Sequence, residues 1–282
     1  MSLSCVSVIC KHRVNYLTSQ YGYHPEEQAV KIIVLPVARI FMSLTNRTIL
    51  ITGAAGGLGA ALAVNCAKQG AKLILLDVNR RKLTALSDSM TDMGLPAPGL
   101  YPMDLSAVGI DDMQTMVEVI ESEFGGLDSL VHCALSFEGL QVLEQVAPHE
   151  WLKSMQVNLN APWLLSCACL PMLRKSEKGR LFFLLDDAEN QTGAYWGAYG
   201  AAKAGLVALV AQFDASLSNT EIEVRGIYPG PMRSDFRAKV YHSEEPMSQP
   251  DPAINAERIA ALLATDGAAS GGEGTDIYLD LR

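Results

Sequence analysis

From residue 47 onward, short apolar runs alternate with longer stretches of helical periodicity, and that alternation leaves few architectures open. A strand covered on both faces reads as a continuous apolar run, and helices between such strands must cross over the sheet, so the strands lie parallel. Strands are expected at 47–52, 72–77, 99–103, 128–134, 180–185, 222–228 and 275–280, with helices at about 57–69, 80–93, 109–124, 148–174, 196–218 and 255–266. Gly70 stands where the first helix should stop, and Gly94, Pro96, Pro98 and Gly99 keep the chain out of helix before the third strand. The expected fold class is α/β: a doubly wound, seven-stranded parallel sheet with helices on both faces, in a single domain over residues 42–282.

Of the 282 residues, 49% are apolar, enough to bury one large core. A net charge of −9 repels phosphates, which argues against nucleic acid and anionic membrane as partners and favours small molecules. The cysteines stand at 5, 10, 66, 133, 167 and 169 without a CxxC pair, so thiols in a reducing, cytoplasmic compartment are expected, with no metal site. Cys167 and Cys169 sit in an apolar helical run and are expected to pack in the core. No apolar run reaches the roughly 18 residues that a membrane span needs. Residues 1–41 share no period with the rest of the chain and read as a leader or extension ahead of a functional start at Met42. Residues 229–255 form a long polar stretch with prolines and no period, expected to be a lid over a binding site.

The run Thr52-Gly-Ala-Ala-Gly-Gly-Leu-Gly59 succeeds an expected strand and opens an expected helix, the context a phosphate-binding loop requires. Gly53 permits the tight turn, Gly57 lets backbone approach a pyrophosphate, and Gly59 allows close helix–sheet packing; Leu58 belongs to the same loop. The helix N-terminus offers unpaired N–H groups to the anion. Together with the alternation of strands and helices this suggests a Rossmann-type sheet binding a dinucleotide. Asp77 ends the second strand, where a carboxylate accepts hydrogen bonds from ribose hydroxyls and repels a 2′-phosphate, which favours NAD; NADP stays possible because Arg80 and Arg81 lie close by.

Tyr199 and Lys203 are four apart on an expected helix and so share one face. A phenol titrates near 10, so a neighbouring ammonium and a positive nicotinamide ring are needed to favour the phenolate, and Lys203 is expected to supply the ammonium that helps bring Tyr199 toward working pH as an acid/base. With its TGxxxGxG spacing and the run Trp196-Gly-Ala-Tyr-Gly-Ala-Ala-Lys203, the chain resembles the short-chain dehydrogenase/reductase family over residues 46–281. The resemblance implies hydride transfer between NAD(P) and an alcohol or carbonyl substrate, and a homodimer or homotetramer built on the 148–174 and 196–218 helices. It further implies that Lys203 holds the nicotinamide ribose and that Asn158 positions a water in the proton relay to Lys203. Asp104, with Leu105, is implied to contact the adenine, and the turn at Pro229 and Gly230, with Ser234, to meet the carboxamide end of the nicotinamide.

The pattern breaks at two places, both falling on one site. Relatives carry a serine 13 residues before the tyrosine, and that position is Asp186. A hydroxyl donates to a substrate oxygen, whereas an ionised carboxylate only accepts. Loss of one such donor costs on the order of 100- to 1000-fold in turnover. Where relatives have Asn-Ala-Gly after the fourth strand, this chain has Cys133-Ala-Leu135, and the leucine is expected to crowd backbone beside the cofactor. Two readings are open: an altered oxidoreductase in which Asp186 faces the substrate, or a cofactor-binding regulator or assembly partner without useful turnover, in which Asp186 points away from Tyr199.

Overall fold

The computed structural model describes residues 43–265 and 277–281. Seven parallel strands form one sheet: β1 (Thr48–Thr52), β2 (Lys72–Asp77), β3 (Gly99–Pro102), β4 (Ser129–His132), β5 (Arg180–Leu184), β6 (Glu223–Tyr228) and β7 (Tyr278–Asp280). Their order is β3-β2-β1-β4-β5-β6-β7. The order reverses between β1 and β4, and it is at such a switch point that crossovers to opposite faces open a crevice beyond the carboxyl ends of the strands. The segment expected to be a leader, residues 1–41, lies outside the described residues, as do 275 and 276 of the last expected strand.

Alternation along each strand supplies both faces. In β1, Ile49 and Ile51 pack on one side with Leu62 and Cys66 of α1 (Gly57–Lys68) and Ile259 and Leu263 of α9 (Pro252–Ala264). Leu50 points to the other side, into the cluster that holds Met116 and Ile120 of α3 (Ile110–Phe124) and Leu165 of α5 (Ala161–Leu173). In β5, Phe182 keeps to the first pattern, and Leu181 and Phe183 to the second. Each fully buried aliphatic side chain contributes about 1.5–3 kcal/mol, so register is set strongly: a one-residue slip would exchange the two faces.

The remaining helices are α2 (Arg80–Asp92), α4 (Pro148–Met155), α6 (Ala188–Thr192), α7 (Gly197–Leu217) and α8 (Asp235–Val240). Three features depart from the sequence expectation. The 148–174 helix is interrupted by a π-helical segment, Gln156–Asn160, between α4 and α5. The short helix α6 comes after β5, and α8 lies in the stretch expected to be irregular. Cys169 is buried as expected, but Cys167 is exposed, because residues two apart on a helix point to nearly opposite sides.

At the amino end of the sheet the buried guanidinium of Arg180 ties three elements together. It pairs with Glu223 of β6 at 2.9 Å and donates to the carbonyls of Leu263 in α9 and of Thr265 just after it. Such a charge is tolerable only because every face of the fork finds a partner.

Candidate active site

Thr52, the last residue of β1, accepts through its hydroxyl the N–H groups of Cys133 and Ala134, each at 3.2 Å, which fixes the exit of β4 beside the glycine loop. Gly53 adopts φ +63°, and a Cβ there would stand 2.6 Å from the Cα of Ala134. A Cβ on Gly59 would stand 2.3 Å from the Gly53 carbonyl oxygen. Only glycine fits either position. The N-cap of α1 is Gly56, so no side chain caps the helix, and Gly57, Leu58 and Gly59 of its first turn line a cavity of about 480 Å³.

That cavity opens at the carboxyl ends of the strands. Asp77 enters from β2, Cys133 and Leu135 from β4, Leu184 to Asp187 from β5, Tyr228 to Met232 from β6, and Tyr199 and Lys203 from α7. Leu135 does not crowd the loop; it is 44% exposed and lines the cavity, while the tight contact with Gly53 falls on Ala134. The segment expected to be a lid walls the cavity with Met232, Ser234, Phe236, Arg237 and Tyr241.

Asp77 accepts the N–H of Ala55 at 3.0 Å and of Asn79 at 2.8 Å, so it shapes the glycine loop besides facing the cavity. Ser234 is the N-cap of α8, its hydroxyl accepting from the Arg237 N–H at 3.0 Å. Asp104, Leu105 and Asn158 are not brought to the cavity wall. Asp104 accepts from the N–H and hydroxyl of Ser106, bonds that hold its carboxyl below the usual range, and Leu105 is buried in the core. Asn158, in the π segment, accepts from Ser136 N–H at 3.0 Å and donates to the carbonyls of Ser136 and Ser154. Its side chain thereby ties the chain after β4 to α4.

At the chemical centre, the Tyr199 hydroxyl donates to Asp186 Oδ2 at 2.6 Å. The other carboxylate oxygen of Asp186 accepts from the Asp187 N–H at 2.8 Å and from Asn190 Nδ2 at 2.9 Å. Gly200 makes this approach possible: a Cβ there would lie 2.8 Å from the carbonyls of Asn190 and Gln191, where α6 meets α7. Lys203 Nζ donates to the Leu184 carbonyl at 2.9 Å and lies 5.8 Å from the Tyr199 ring centroid. The electrostatics overturn one expectation. Burial, then the Asp186 charge and hydrogen bond, hold the Tyr199 phenol well above 10, not below it. Burial likewise lowers Lys203, against the opposing pull of Asp186, and pushes the Cys133 thiol up to about 12.

Sequence reasoning missed the aromatic surround of Tyr199. Phe137, Trp196 and Phe236 place their ring centroids 5.4, 5.8 and 5.2 Å from it. Trp196 stood in the helix motif, but Phe137 and Phe236 lie in aperiodic chain where no spacing marks them. Among the described residues no helix is long and apolar enough to cross a membrane.

Comparison with known proteins agrees with this arrangement. The model of the short chain dehydrogenase family matches residues 47–245. The oxidoreductase YciK of Escherichia coli is 32% identical over 210 residues, spanning 74% of this chain and 83% of that protein. A short chain dehydrogenase of Escherichia coli CFT073, solved in complex with NADPH, superposes with a TM-score of 0.79 at 29% identity, covering 86% of this chain and 99% of that one. Another from Shigella flexneri, solved with NADP, gives 0.77 at 29% identity, covering 84% and 98%. The chain therefore belongs to the short chain dehydrogenase family of oxidoreductases, and its sheet is the Rossmann-type sheet of that family.

Proposed function

We propose that the chain is an NAD(P)-dependent oxidoreductase that interconverts an alcohol and a ketone or aldehyde by hydride transfer. The observation that carries this reading is the meeting, in one cavity, of the glycine loop with Tyr199 and Lys203. The cofactor, when bound, supplies or accepts the hydride. Gly53, Gly57, Leu58 and Gly59 would hold its pyrophosphate, Asp77 the adenine ribose, Lys203 the nicotinamide ribose, and Pro229, Gly230 and Ser234 the carboxamide end. Asp104 and Leu105, just past the end of β3, would meet the adenine. Asn158 acts as a positioning residue through Ser136 and Ser154.

Tyr199 is the proton-transferring group. Held protonated by burial and by Asp186, it is not available as a base, which suits reduction of the carbonyl over oxidation of the alcohol. Asp186 faces Tyr199 and does not turn away, which favours an altered enzyme over a regulator without turnover. For the cofactor, the NADP and NADPH of the two solved relatives favour NADP, with Arg80 and Arg81 at the start of α2 as partners for a 2′-phosphate; Asp77 is the residue that opposes it and speaks for NAD. The four described cysteines are free thiols, in keeping with a reducing cytoplasm.

The test is NADPH and NADH consumption against a panel of ketones and aldehydes by wild type and Tyr199→Phe. A carbonyl turned over by wild type, with kcat at least about 100-fold lower in the variant while cofactor binding persists, supports the assignment. Equal turnover by both would remove Tyr199 from the chemistry.

A further inference from the structure

The cavity beside Tyr199 carries the wrong charge for a developing alkoxide. In the place where a hydroxyl donor would assist a carbonyl oxygen stands a carboxylate, and the Tyr199 proton is directed at Asp186 Oδ2, 2.6 Å away. Asp187 and Glu189 line the same end of the cavity and add negative charge. Of the two cations of the wall, Lys203 donates to the Leu184 carbonyl and feels the pull of Asp186, and Arg237 is paired with Glu244, Nη2 standing 2.8 Å from Oε1. Phe236, also on the wall, brings its ring within 5.2 Å of the Tyr199 ring centroid. Carboxylates with aromatic faces are the surroundings that stabilise an organic cation.

We propose that this site takes a protonated imine, a cationic C=N group, in preference to a neutral carbonyl of the same shape, with Asp186 as its counter-ion. The proposal rests on the hydride-transfer reading above and names its substrate class. In the step, the iminium carbon gains a C–H bond from the hydride of the reduced nicotinamide, the C=N π pair becomes the nitrogen lone pair, and the products are an amine and oxidised nicotinamide. The substrate brings its own proton on nitrogen, so Tyr199 need not release one. A ketone differs on both counts: its oxygen becomes anionic beside Asp186 and needs the proton that Tyr199 shares with that carboxylate.

The test pairs a cationic with a neutral bicyclic probe. Binding of tetrahydroisoquinolinium and of its neutral ether analogue isochroman to the cofactor-free protein is measured by calorimetry, and reduction of 3,4-dihydroisoquinolinium and of 1-tetralone is measured with NADPH and NADH. Wild type is expected to bind the cation at least tenfold more tightly than the ether and to reduce the iminium at least tenfold faster than the ketone. Asp186→Asn and Asp186→Ser, checked for folding by circular dichroism, are expected to lose the cation preference, and the serine variant to gain ketone turnover. Equal binding of cation and ether, or faster ketone reduction, by wild type overturns the proposal, and intact cofactor binding then leaves the hydride-transfer reading standing. Failure of wild type to bind either cofactor overturns that reading, and this proposal with it.

Discussion

At the scale of single residues, Asp186 decides the character of the site. Burial, the Asp186 charge and the bond from Tyr199 to it all favour the protonated phenol, so the phenol is held well above 10. The stabilisation this lends the fold is therefore present below 10 and is lost as pH rises through the folded value. In Asp186→Asn the charge is gone, and the Tyr199 phenolate is expected to appear at lower pH than in wild type, read as absorbance at about 295 nm against Tyr199→Phe. An unmoved titration would deny the coupling. His132 titrates the other way. Buried, stacked on Phe183 at 4.8 Å and hydrogen-bonded to Ser166 at 2.9 Å, it is pushed down to about 3 by burial and by the Lys203 charge. A lowered folded value means that its contribution is complete above 6.5 and is lost as pH falls from 6.5 towards 3, at up to about 1.4 kcal/mol per pH unit. Urea midpoints at pH 7 and pH 4.5 should diverge less in His132→Gln than in wild type; equal divergence would contradict the assignment. Residue 186 could be found by counting back from Tyr199. Its bond to Tyr199 could not, because it depends on how the end of β5 meets α7.

At the scale of elements, the strands and most helices were legible because apolar runs and glycine stops are local signals. The π segment was not: residues 148–174 keep a helical pattern throughout, and one extra residue in a turn leaves that pattern nearly intact. Helix α8 was hidden for the opposite reason, since six residues within a polar stretch show no period, yet Phe236 on it reaches Tyr199. The outward face of α5 carries Trp163, Cys167 and Pro171, and that of α7 carries Ala201, Ala204 and Ala208. An exposed apolar stripe beside a stripe of small residues suits a four-helix seam with a second copy, the arrangement we propose for a homodimer or a homotetramer. Trp163→Arg is expected to shift the protein to monomer in sedimentation velocity. A wild-type monomer, or a variant that assembles unchanged, would dismiss the seam.

At the scale of the whole molecule, the proposed chemistry depends on a dinucleotide lying across the switch point between β1 and β4, its pyrophosphate on the uncapped start of α1. The glycine loop was legible in full, since strand, loop and helix are contiguous, whereas the aromatic surround and the acid beside Tyr199 are assembled from distant segments. The direct measurement is a titration of NADPH and NADH into wild type and Gly59→Ala, monitored by tryptophan-to-nicotinamide energy transfer. A Cβ at residue 59 would meet the Gly53 carbonyl at 2.3 Å, so the loop of the variant must move. Saturable energy transfer in wild type, at least tenfold weaker in affinity in Gly59→Ala, is the predicted result, and the cofactor bound more tightly names the partner of Asp77. No saturable binding by wild type, or equal binding by both proteins, would contradict the account.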